Sequence, residues 1–290
     1  MGNLNVAVTG ANGFIGRHLL RELKRKDLSV TIFDRQKHSL FKPKSLKKFV
    51  EDKDIIFHLA GANRDTNSNL VKANTLGTLG LLEAIREYGS SGLRLFFTSS
   101  FQVYPQLTQK KLIDENHKLD PASIYGFSKK FAEELIEFYS LNYDLKSIIF
   151  RLSNVFGPGC RPFYNSVIAT FAYQIANNKE LRVGGSGEQA RDFICIDDVI
   201  QALLKAIDFT PVPVEIFNVC SGRLVSLNRL IELFKDVSPK EVKIRYDRLK
   251  KEKLFYTVGD YKKAKKILKW QPEISMEKGL KKTLTSFYEN

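Results

Sequence analysis

The feature of this sequence that most constrains its fold is a series of short apolar runs, each followed by apolar residues at helical spacing. Five runs read as β-strands: NVAVT at 5–9, SVTIF at 29–33, DIIFHLA at 54–60, LRLFFTS at 93–99 and KSIIFRL at 146–152. They lack the alternation of polar and apolar residues, which is typical of strands buried on both faces. Strands that alternate with helices in this way predict a doubly wound α/β fold with a parallel sheet.

The pattern changes after about residue 153. The loop-like segment FGPGCRPFYN is followed by a mixture of helices and strands, without repeats or long linkers. We therefore predict a first domain over residues 1–153 and a smaller α/β lobe over 154–290. Within the second part, about 191–220 is expected to return to the first domain.

Composition narrows the class of protein. A chain of 290 residues with 43% hydrophobic residues can form a globular protein with a sizeable core. No apolar run approaches the roughly 18 residues of a membrane helix, and MGNLNVAVTG lacks the order of a signal peptide, so we expect a cytoplasmic protein without a membrane partner. Three cysteines and four scattered histidines show no metal-ligand spacing, which predicts free buried thiols and no metal site.

The formal net charge of +14 raises the question of a nucleic-acid partner. In the lysine-rich segment DYKKAKKILK, however, apolar residues recur at helical spacing, which makes the lysines the solvated face of a packed helix. We therefore expect no nucleic-acid partner. The positive potential would instead attract a small phosphorylated substrate.

The segment VTGANGFIG joins the first strand to the first helix and predicts a dinucleotide site. Gly10 permits a tight turn, Gly13 lets backbone approach a phosphate, and Gly16 lets helix and strand pack closely, while the helix N-terminus attracts the pyrophosphate. Asp34 ends the second strand, where a carboxylate can hold the adenosine ribose and favours NAD. Arg35 beside it would suit the 2′-phosphate of NADP. A turn cap is the alternative role for Asp34.

Further motifs resemble, in the same order along nearly the whole chain, those of the extended short-chain dehydrogenase/reductases, and specifically the nucleotide-sugar epimerase/dehydratase family. The motifs are TGANGFIG, HLAG at 58–61, NTLGT at 74–78, TSSFQVY at 98–104, YGFSK at 125–129, RLSNVFGPG at 151–159, RDFICIDDV at 191–199, NVCSG at 218–222 and WQPEISMEKGL at 270–280. The resemblance implies a Rossmann-like NAD-binding domain with a substrate-binding lobe. It also implies a homodimer formed through the helices that flank YGFSK.

The segment YGFSK places Tyr125 and Lys129 four residues apart, on one face of a predicted helix. A free tyrosine has a pKa of about 10 and is a poor base, but a nearby ammonium and an oxidised nicotinamide favour its phenolate. The resemblance implies that this phenolate takes a proton from a sugar hydroxyl, that Lys129 also holds the nicotinamide ribose, and that Ser100 bonds the reacting oxygen. For the pair alone, an amphipathic surface helix is the alternative.

The resemblance also assigns the binding residues. The implied cofactor set is Gly10, Asn12, Gly13, Phe14, Ile15, Gly16, Asp34, Arg35, Leu59, Ala60, Gly61, Asn74, Thr98, Ser99, Tyr125 and Lys129. The implied substrate set is Ser100, Asn154, Val167 and Arg191, in which the amide and the guanidinium suit a diphosphate. For Asn74, a helix-capping amide is the alternative. His58 is expected to contribute backbone rather than act as an acid or base, and Asp197 and Asp198 to cap a helix.

Two departures from the family bear on the activity. Where dehydratases carry Thr-Asp-Glu, this chain has Ser100, Phe101 and Gln102, and neither of the last two can exchange a proton, which disfavours dehydration. Between Asp34 and Asp54, the customary strand that ends near the adenine is not recognisable. In this respect, and in CRPFYNSVIATF, the chain resembles capsule-type enzymes that reduce 4-keto nucleotide sugars.

The expected function is therefore NAD-dependent 4-epimerisation of a UDP-hexose or UDP-N-acetylhexosamine by transient oxidation and re-reduction of C4, within polysaccharide biosynthesis. The alternative is an NAD(P)H-dependent reductase of a 4-keto nucleotide sugar, which would use the same residues. A non-catalytic protein that binds a nucleotide or a nucleic acid is disfavoured by the intact Ser100, Tyr125 and Lys129. The sugar, the nucleotide and the choice between NAD and NADP stay open.

Overall fold

The computed structural model describes residues 4–247 and 254–289, and these divide into two compact units. The first unit contains the chain up to Tyr104 together with Lys118–Arg151 and Ile200–Phe217, and the second contains Pro105–His117, Leu152–Val199 and the chain from Asn218 onward. The domain boundaries read from the sequence stay a prediction.

Six strands form the large sheet. In chain order, its strands are β1 (Asn5–Thr9), β2 (Ser29–Ile32), β3 (Ile55–His58), β4 (Arg94–Ser100), β6 (Lys146–Leu152) and β10 (Val214–Val219). Four further strands lie between these in the sequence but belong to smaller sheets: β5 (Leu112–Ile113), β7 (Asn154–Phe156), β8 (Leu181–Gly184) and β9 (Ala190–Cys195). Their order across the sheet is β10, β6, β4, β3, β1, β2. β1 pairs in parallel with both β2 and β3, and β3 pairs in parallel with β4. This confirms the predicted α/β fold with a parallel sheet.

Helices follow most of these strands. They are α1 (Phe14–Arg25), α2 (Lys47–Val50), α3 (Asn67–Val71), α4 (Gly77–Tyr88), α5 (Ile124–Asn142), α6 (Val167–Ala176), α7 (Ile196–Lys205), α8 (Leu227–Val237), α9 (Lys262–Ile267) and α10 (Met276–Tyr288). Serine or threonine side chains cap the N-termini of five of them, as local sequence preferences predict. A π-helical turn, Lys72–Leu76, joins α3 to α4. Among the described helices none is long and apolar enough to cross a membrane.

The core of the first unit lies between the sheet and the helices α2, α4 and α5. Side chains such as Phe49, Ile56, Leu82, Phe97 and Ile136 are fully buried there. Each removes a large apolar area from water, which contributes about 1.5–3 kcal/mol for a complete side chain. This packing fixes the strand ends and the helix starts that carry the candidate site.

The connection between β2 and β3 contains no strand, as the sequence indicates. Its regular structure consists of a 3₁₀ turn, Pro43–Leu46, and the short helix α2, so β2 is one of the two edges of the sheet within the described residues. The connection instead lies directly on α4, where a Cβ atom at Gly80 would stand 1.8 Å from the carbonyl oxygen of Leu40. A residue without a side chain at position 80 is what allows this approach.

The second unit holds three small sheets. One contains β7, β9 and β11 (Leu224–Ser226), one pairs β8 with β12 (Ile244–Asp247), and one pairs β5 with β13 (Val258–Gly259). α10 packs against α6 and α8. The buried Asp192 carboxylate accepts hydrogen bonds from the backbone N–H groups of Ser221, Gly222 and Gly259, which ties separate segments together.

Two details of the second unit differ from expectation. α7 begins at Ile196, so Asp197 and Asp198 lie inside its first turn and the predicted N-cap is wrong. The Asp198 carboxylate instead accepts the backbone N–H groups of Glu273 and Ile274 at 2.9 and 3.2 Å. The three cysteines are unpaired, but Cys160 is only half-buried, whereas Cys195 and Cys220 are buried as predicted.

Candidate active site

The glycine turn after β1 has the geometry that its sequence predicts. Gly10 has a φ of +70°, and a Cβ atom there would lie 2.6 Å from the backbone nitrogen of Ala60 and from the carbonyl carbon of Leu59. A Cβ atom at Gly16 would lie 2.2 Å from the carbonyl oxygen of Gly10. The two glycines therefore let β1, the end of β3 and α1 come together.

The N-terminus of α1 is free to receive an anion. Gly13 is its N-cap, no side chain of the described residues caps the first amides, and no acidic residue lies in the first turn. Asn12 is exposed beside it, and Phe14 and Ile15 are half-buried at the start of the helix. Unsatisfied amide groups and the helix dipole together favour a phosphate at this position.

Asp34 follows β2 and caps a turn. Its Oδ1 atom accepts the backbone N–H of Gln36 at 2.9 Å, and its Oδ2 atom lies 3.9 Å from the ammonium of Lys37. Arg35 is exposed. Asp34 therefore caps a turn at the end of β2, and its role toward an adenosine ribose stays a prediction.

The first turn of α5 lies directly on the turn that follows Ser100, the last residue of β4. The Ser123 hydroxyl caps α5 by accepting the Gly126 N–H at 3.1 Å, and it donates to Oε1 of Gln102 at 3.0 Å. A Cβ atom at Gly126 would lie 2.2 Å from the Gln102 carbonyl oxygen. This contact brings the segment of Ser100 together with that of Tyr125, which is half-buried.

Lys129 is buried one helical turn beyond Tyr125. Its Nζ atom donates to the carbonyl oxygen of Thr98 at 2.8 Å, lies 4.5 Å from the ring centroid of Phe97, and would be 3.5 Å from a Cβ atom at Gly61. Burial lowers the pKa of Lys129 to about 8, against the opposing effect of the Glu133 carboxylate. The ammonium is therefore still the main form at neutral pH.

Hydroxyl groups line the end of β4. Ser99 is buried, and its Oγ atom has no hydrogen-bond partner among the described residues. The Ser100 hydroxyl accepts the Gln102 N–H at 3.2 Å and keeps its own hydrogen available. A buried hydroxyl without a partner is unfavourable, so a bound group that pairs with Ser99 fits this place.

Asn74 lies in the π-helical turn and is buried. Its amide binds the backbone of Ala62 twice, because Oδ1 accepts the Ala62 N–H at 2.8 Å and Nδ2 donates to the Ala62 carbonyl at 2.8 Å. Nδ2 also donates to the Ser128 hydroxyl at 2.8 Å. These bonds hold the chain just after Leu59, Ala60 and Gly61, and the helix-capping alternative for Asn74 is wrong.

A buried ion pair near Lys129 was not predicted. The Arg151 guanidinium binds the Glu133 carboxylate at 2.8 Å through Nη2 and donates to the Tyr104 hydroxyl at 2.9 Å through Nη1. Glu133 lies four residues after Lys129, and this spacing on a buried helix face is the signal that could have indicated it. Together with Ser128 inside YGFSK, it belongs to the surroundings of the predicted pair.

Three of the four predicted substrate residues, Asn154, Val167 and Arg191, lie in the second unit. Asn154 on β7 and Arg191 on β9 stand on neighbouring parallel strands, and Nδ2 of Asn154 donates to the Asp192 carbonyl at 2.9 Å. Nη1 of Arg191 donates to the carbonyl oxygens of Ala190 and Phe255 at 2.8 and 2.6 Å. Val167 is the first residue of α6.

Comparisons with known proteins agree on one family. The model of the "NAD dependent epimerase/dehydratase family" matches residues 6–220. The UDP-glucuronate 4-epimerase of Thermodesulfobacterium geofontis is 36% identical, over 76% of this chain and 66% of that protein. The GDP-6-deoxy-D-mannose reductase of Pseudomonas aeruginosa is 31% identical, over 97% of this chain and 96% of that protein.

A solved structure is also similar over nearly the full length. The UDP-glucose 4-epimerase of Thermotoga maritima, determined with UDP-glucose, has a TM-score of 0.89 and 28% sequence identity to this chain. The match covers 99% of both chains.

Proposed function

We propose that this chain, which belongs to the NAD dependent epimerase/dehydratase family and is an NAD-dependent enzyme, inverts C4 of a UDP-linked hexose or N-acetylhexosamine. The observation that carries the proposal is the buried Lys129 ammonium, held by the Thr98 carbonyl one helical turn from Tyr125. Similarity to two 4-epimerases that are named for UDP-sugars supports the substrate class.

The residues present fit a dinucleotide. The amides at the N-terminus of α1 would hold the pyrophosphate, and Asp34 the adenosine ribose. The Ser99 hydroxyl, which has no partner within residues 4–247 and 254–289, would bind a polar group of the cofactor. Gly61 and Asn74 would border the nicotinamide ribose beside Lys129. When bound, the nicotinamide supplies a reversible hydride acceptor for the sugar carbon.

Tyr125 would move the proton. The positive charge of Lys129 favours the phenolate of Tyr125, which would take the proton of the C4 hydroxyl and return it after the sugar has turned over. The Ser100 hydroxyl would donate to the same oxygen and orient it. The buried position of Lys129 strengthens its effect on Tyr125, because charges interact more strongly away from water.

The substrate residues of the second unit are part of the proposal. Asn154 and Arg191 carry N–H donors suited to a diphosphate, and Val167 would contribute an apolar contact to the nucleotide or the sugar. Phe101 and Gln102 cannot exchange a proton with the substrate, so we do not expect the enzyme to eliminate water from the sugar. Phe101 is buried against Tyr104 with ring centroids 5.4 Å apart, so the turn after Ser100 offers no acid there.

A second candidate is an NAD(P)H-dependent reductase of 4-keto nucleotide sugars. It is favoured by the missing strand beyond β2 in the described chain and by the similarity to GDP-6-deoxy-D-mannose reductase. The exposed Arg35 and Lys37 next to Asp34 could bind a 2′-phosphate. The two candidates differ in whether the hydride returns to the sugar it came from.

One experiment separates the candidates. Denaturing the purified protein and identifying any released dinucleotide and nucleotide by mass spectrometry should find NAD for an epimerase. NMR of UDP-glucose, UDP-galactose and their N-acetyl forms with the enzyme should then show interconversion without added NADH. No interconversion, together with NAD(P)H oxidation only in the presence of a 4-keto sugar, would establish the reductase instead.

We also propose that the protein is a homodimer joined through α5. An apolar stripe runs along this helix, formed by Ile124, Phe127, Phe131 and Phe138, whose exposed fractions are 39, 41, 50 and 51%. Exposed apolar groups in contiguous patches usually mark a contact surface. A cytoplasmic location and a role in polysaccharide biosynthesis stay predictions of the sequence.

A further inference from the structure

We propose that His58 is a positioning residue. Its imidazole holds the π-helical turn in place, and Asn74 within that turn holds the segment 59–62. The inference rests on the proposed function, since it concerns the segment 59–62 that would border the dinucleotide. His58 ends β3 and is completely buried. Its two ring nitrogens lie between the hydroxyls of Thr9 at 2.7 Å and Thr78 at 3.0 Å.

The hydrogen on Nε2 follows from counting donors. The Thr78 hydroxyl has one hydrogen, and it donates this to the carbonyl oxygen of Asn74 at 2.6 Å, since a carbonyl can only accept. The hydroxyl must therefore accept from the ring, and Nε2 of His58 must carry a hydrogen. Two successive hydrogen bonds therefore link His58 to Thr78 and Thr78 to Asn74 in the π-helical turn.

The other side of the ring completes the chain. The Ala60 N–H donates to the Thr9 hydroxyl at 3.2 Å, and that hydroxyl donates to the free lone pair of Nδ1 on His58. Burial and the nearby Lys129 ammonium lower the pKa of His58 to about 3, so the ring is neutral at physiological pH. Every hydrogen of the two hydroxyls is used, which fixes the imidazole in one tautomer and one orientation.

The hydrogen bonds of His58 matter because they end in the π-helical turn. Within it, the Gly77 N–H bonds to the carbonyl of Lys72, five residues back instead of four. The extra residue changes which way side chains point, and the amide of Asn74 reaches both the N–H and the carbonyl of Ala62. His58 and Thr78 bind the backbone of this turn at the Asn74 carbonyl, whereas Ala62 binds the Asn74 side chain.

The same network extends to the helix of the proposed proton acceptor. Asn74 donates to the Ser128 hydroxyl, and Ser128 donates to the carbonyl oxygen of Tyr125 at 2.8 Å. A buried histidine that only filled space would need none of these bonds, and an apolar residue could replace it. A positioning histidine requires that loss of its link to Asn74 weakens cofactor binding.

The test compares His58→Leu and Thr78→Val, which both break the link, with Thr78→Ser, which keeps the hydroxyl. Calorimetric titration with NADH of the whole protein, freed beforehand of any NAD that it retains, should give an about tenfold weaker affinity for the first two and wild-type affinity for the third, since a net hydrogen bond is worth about 1 kcal/mol or slightly more. In turnover, KM for the cofactor should rise more than kcat falls. Circular dichroism and thermal unfolding establish that each variant is folded.

NMR of ¹⁵N-histidine-labelled wild-type protein tests the bonds themselves. His58 should carry its hydrogen on Nε2 and should not titrate between about pH 5 and 8, where an ordinary histidine does. A hydrogen on Nδ1, or titration in this range, overturns the assignment. Wild-type NADH affinity in folded Thr78→Val overturns the positioning role alone, whereas a wild-type protein that binds no dinucleotide overturns the proposed function and that role with it.

Discussion

The hydroxyl of Tyr125 and the ammonium of Lys129 perform different tasks in the proposed reaction, and this allows them to be tested separately. Tyr125→Phe removes only the hydroxyl of a half-buried ring. We expect kcat to fall by about 10²–10⁴, the usual contribution of a positioned acid or base, with a much smaller change in NADH affinity. Steady-state kinetics and NADH titration measure the two quantities. Turnover close to that of the wild type would show that another group moves the proton.

The lowered pKa of Lys129 predicts the pH dependence of the reaction. Its charge is present below pH about 8 and is lost above it, so the stabilisation of the Tyr125 phenolate is lost as well. We expect kcat/KM to decline as the pH rises through about 8. A guanidinium stays charged, so whatever activity Lys129→Arg retains should lack this decline. A wild-type profile that is flat to about pH 10 would contradict the assignment of the charge.

The same buried histidine that positions Asn74 should make the fold sensitive to acid. Unfolded His58 has an ordinary pKa of 6.5 and folded His58 one of about 3, so the unfolded state binds more protons between these values. The contribution of His58 to the free energy of unfolding should therefore be fully present above pH 6.5 and should decrease as the pH falls toward 3. Urea unfolding of wild type and His58→Leu at several pH values measures this. An identical pH dependence in both proteins would show that His58 does not contribute.

Sequence could predict residues whose role depends on local pattern. Gly10 and Gly13 are recognisable because a strand-to-helix turn at a phosphate needs them, and Tyr125 with Lys129 because four residues make one helical turn. It could not predict the role of His58, which depends on how hydroxyls 49 and 20 residues away share their hydrogens. Nor could it predict that the Ser99 hydroxyl would find no hydrogen-bond partner in the described parts of the chain.

At the scale of elements, the most demanding contact is that between α4 and the connection after β2. Gly80→Ala would place a methyl group 1.8 Å from the Leu40 carbonyl oxygen, and backbone must move to relieve it. We expect a loss of about 2 kcal/mol or more in the free energy of unfolding, comparable to overpacking of a core. Urea unfolding measures it.

Gly77→Ala on the same helix is the matched control. The nearest atoms to its added Cβ atom would be side-chain atoms of Leu40 at 3.5 and 3.7 Å and the Lys72 carbonyl oxygen at 3.8 Å, which are ordinary contacts. Because alanine is a better helix former than glycine by about 0.5–1 kcal/mol, this variant should be at least as stable as the wild type. Equal destabilisation by both substitutions would show that the close approach to Leu40 is not what requires Gly80.

The elements that sequence predicted best are the buried parallel strands and the long helices, because each carries its own apolar pattern. The short strands β5, β7, β8, β11 and β13 have two to four residues each and were not predicted. Such segments are strands only because a distant segment pairs with them, as Leu112 does with Val258. A two-residue segment has no periodicity to detect.

At the scale of the whole molecule, the apolar stripe on α5 predicts the oligomeric state. Phe131→Glu with Phe138→Glu puts two carboxylates into the proposed interface, and we expect a monomer in sedimentation velocity where the wild type is a dimer. Val212→Glu is the control, because Val212 is 87% exposed and lies outside the stripe. A monomeric wild type would contradict the proposed dimer, and so would a double variant that sediments as the wild type does.

In the described part of the chain β2 forms one edge of the six-stranded sheet, and this edge bears on how the protein behaves at high concentration. An unpaired strand edge offers N–H and C=O groups to another copy, and native sheets can join edge to edge in this way. β2 has four residues, and the exposed cations Lys24, Lys26 and Arg35 lie in the segments on either side of it. Two copies that approached through this edge would bring like charges together on chains that each carry +14. The positive charge of the chain therefore opposes association through this edge by electrostatic repulsion, and concentrated salt weakens that repulsion.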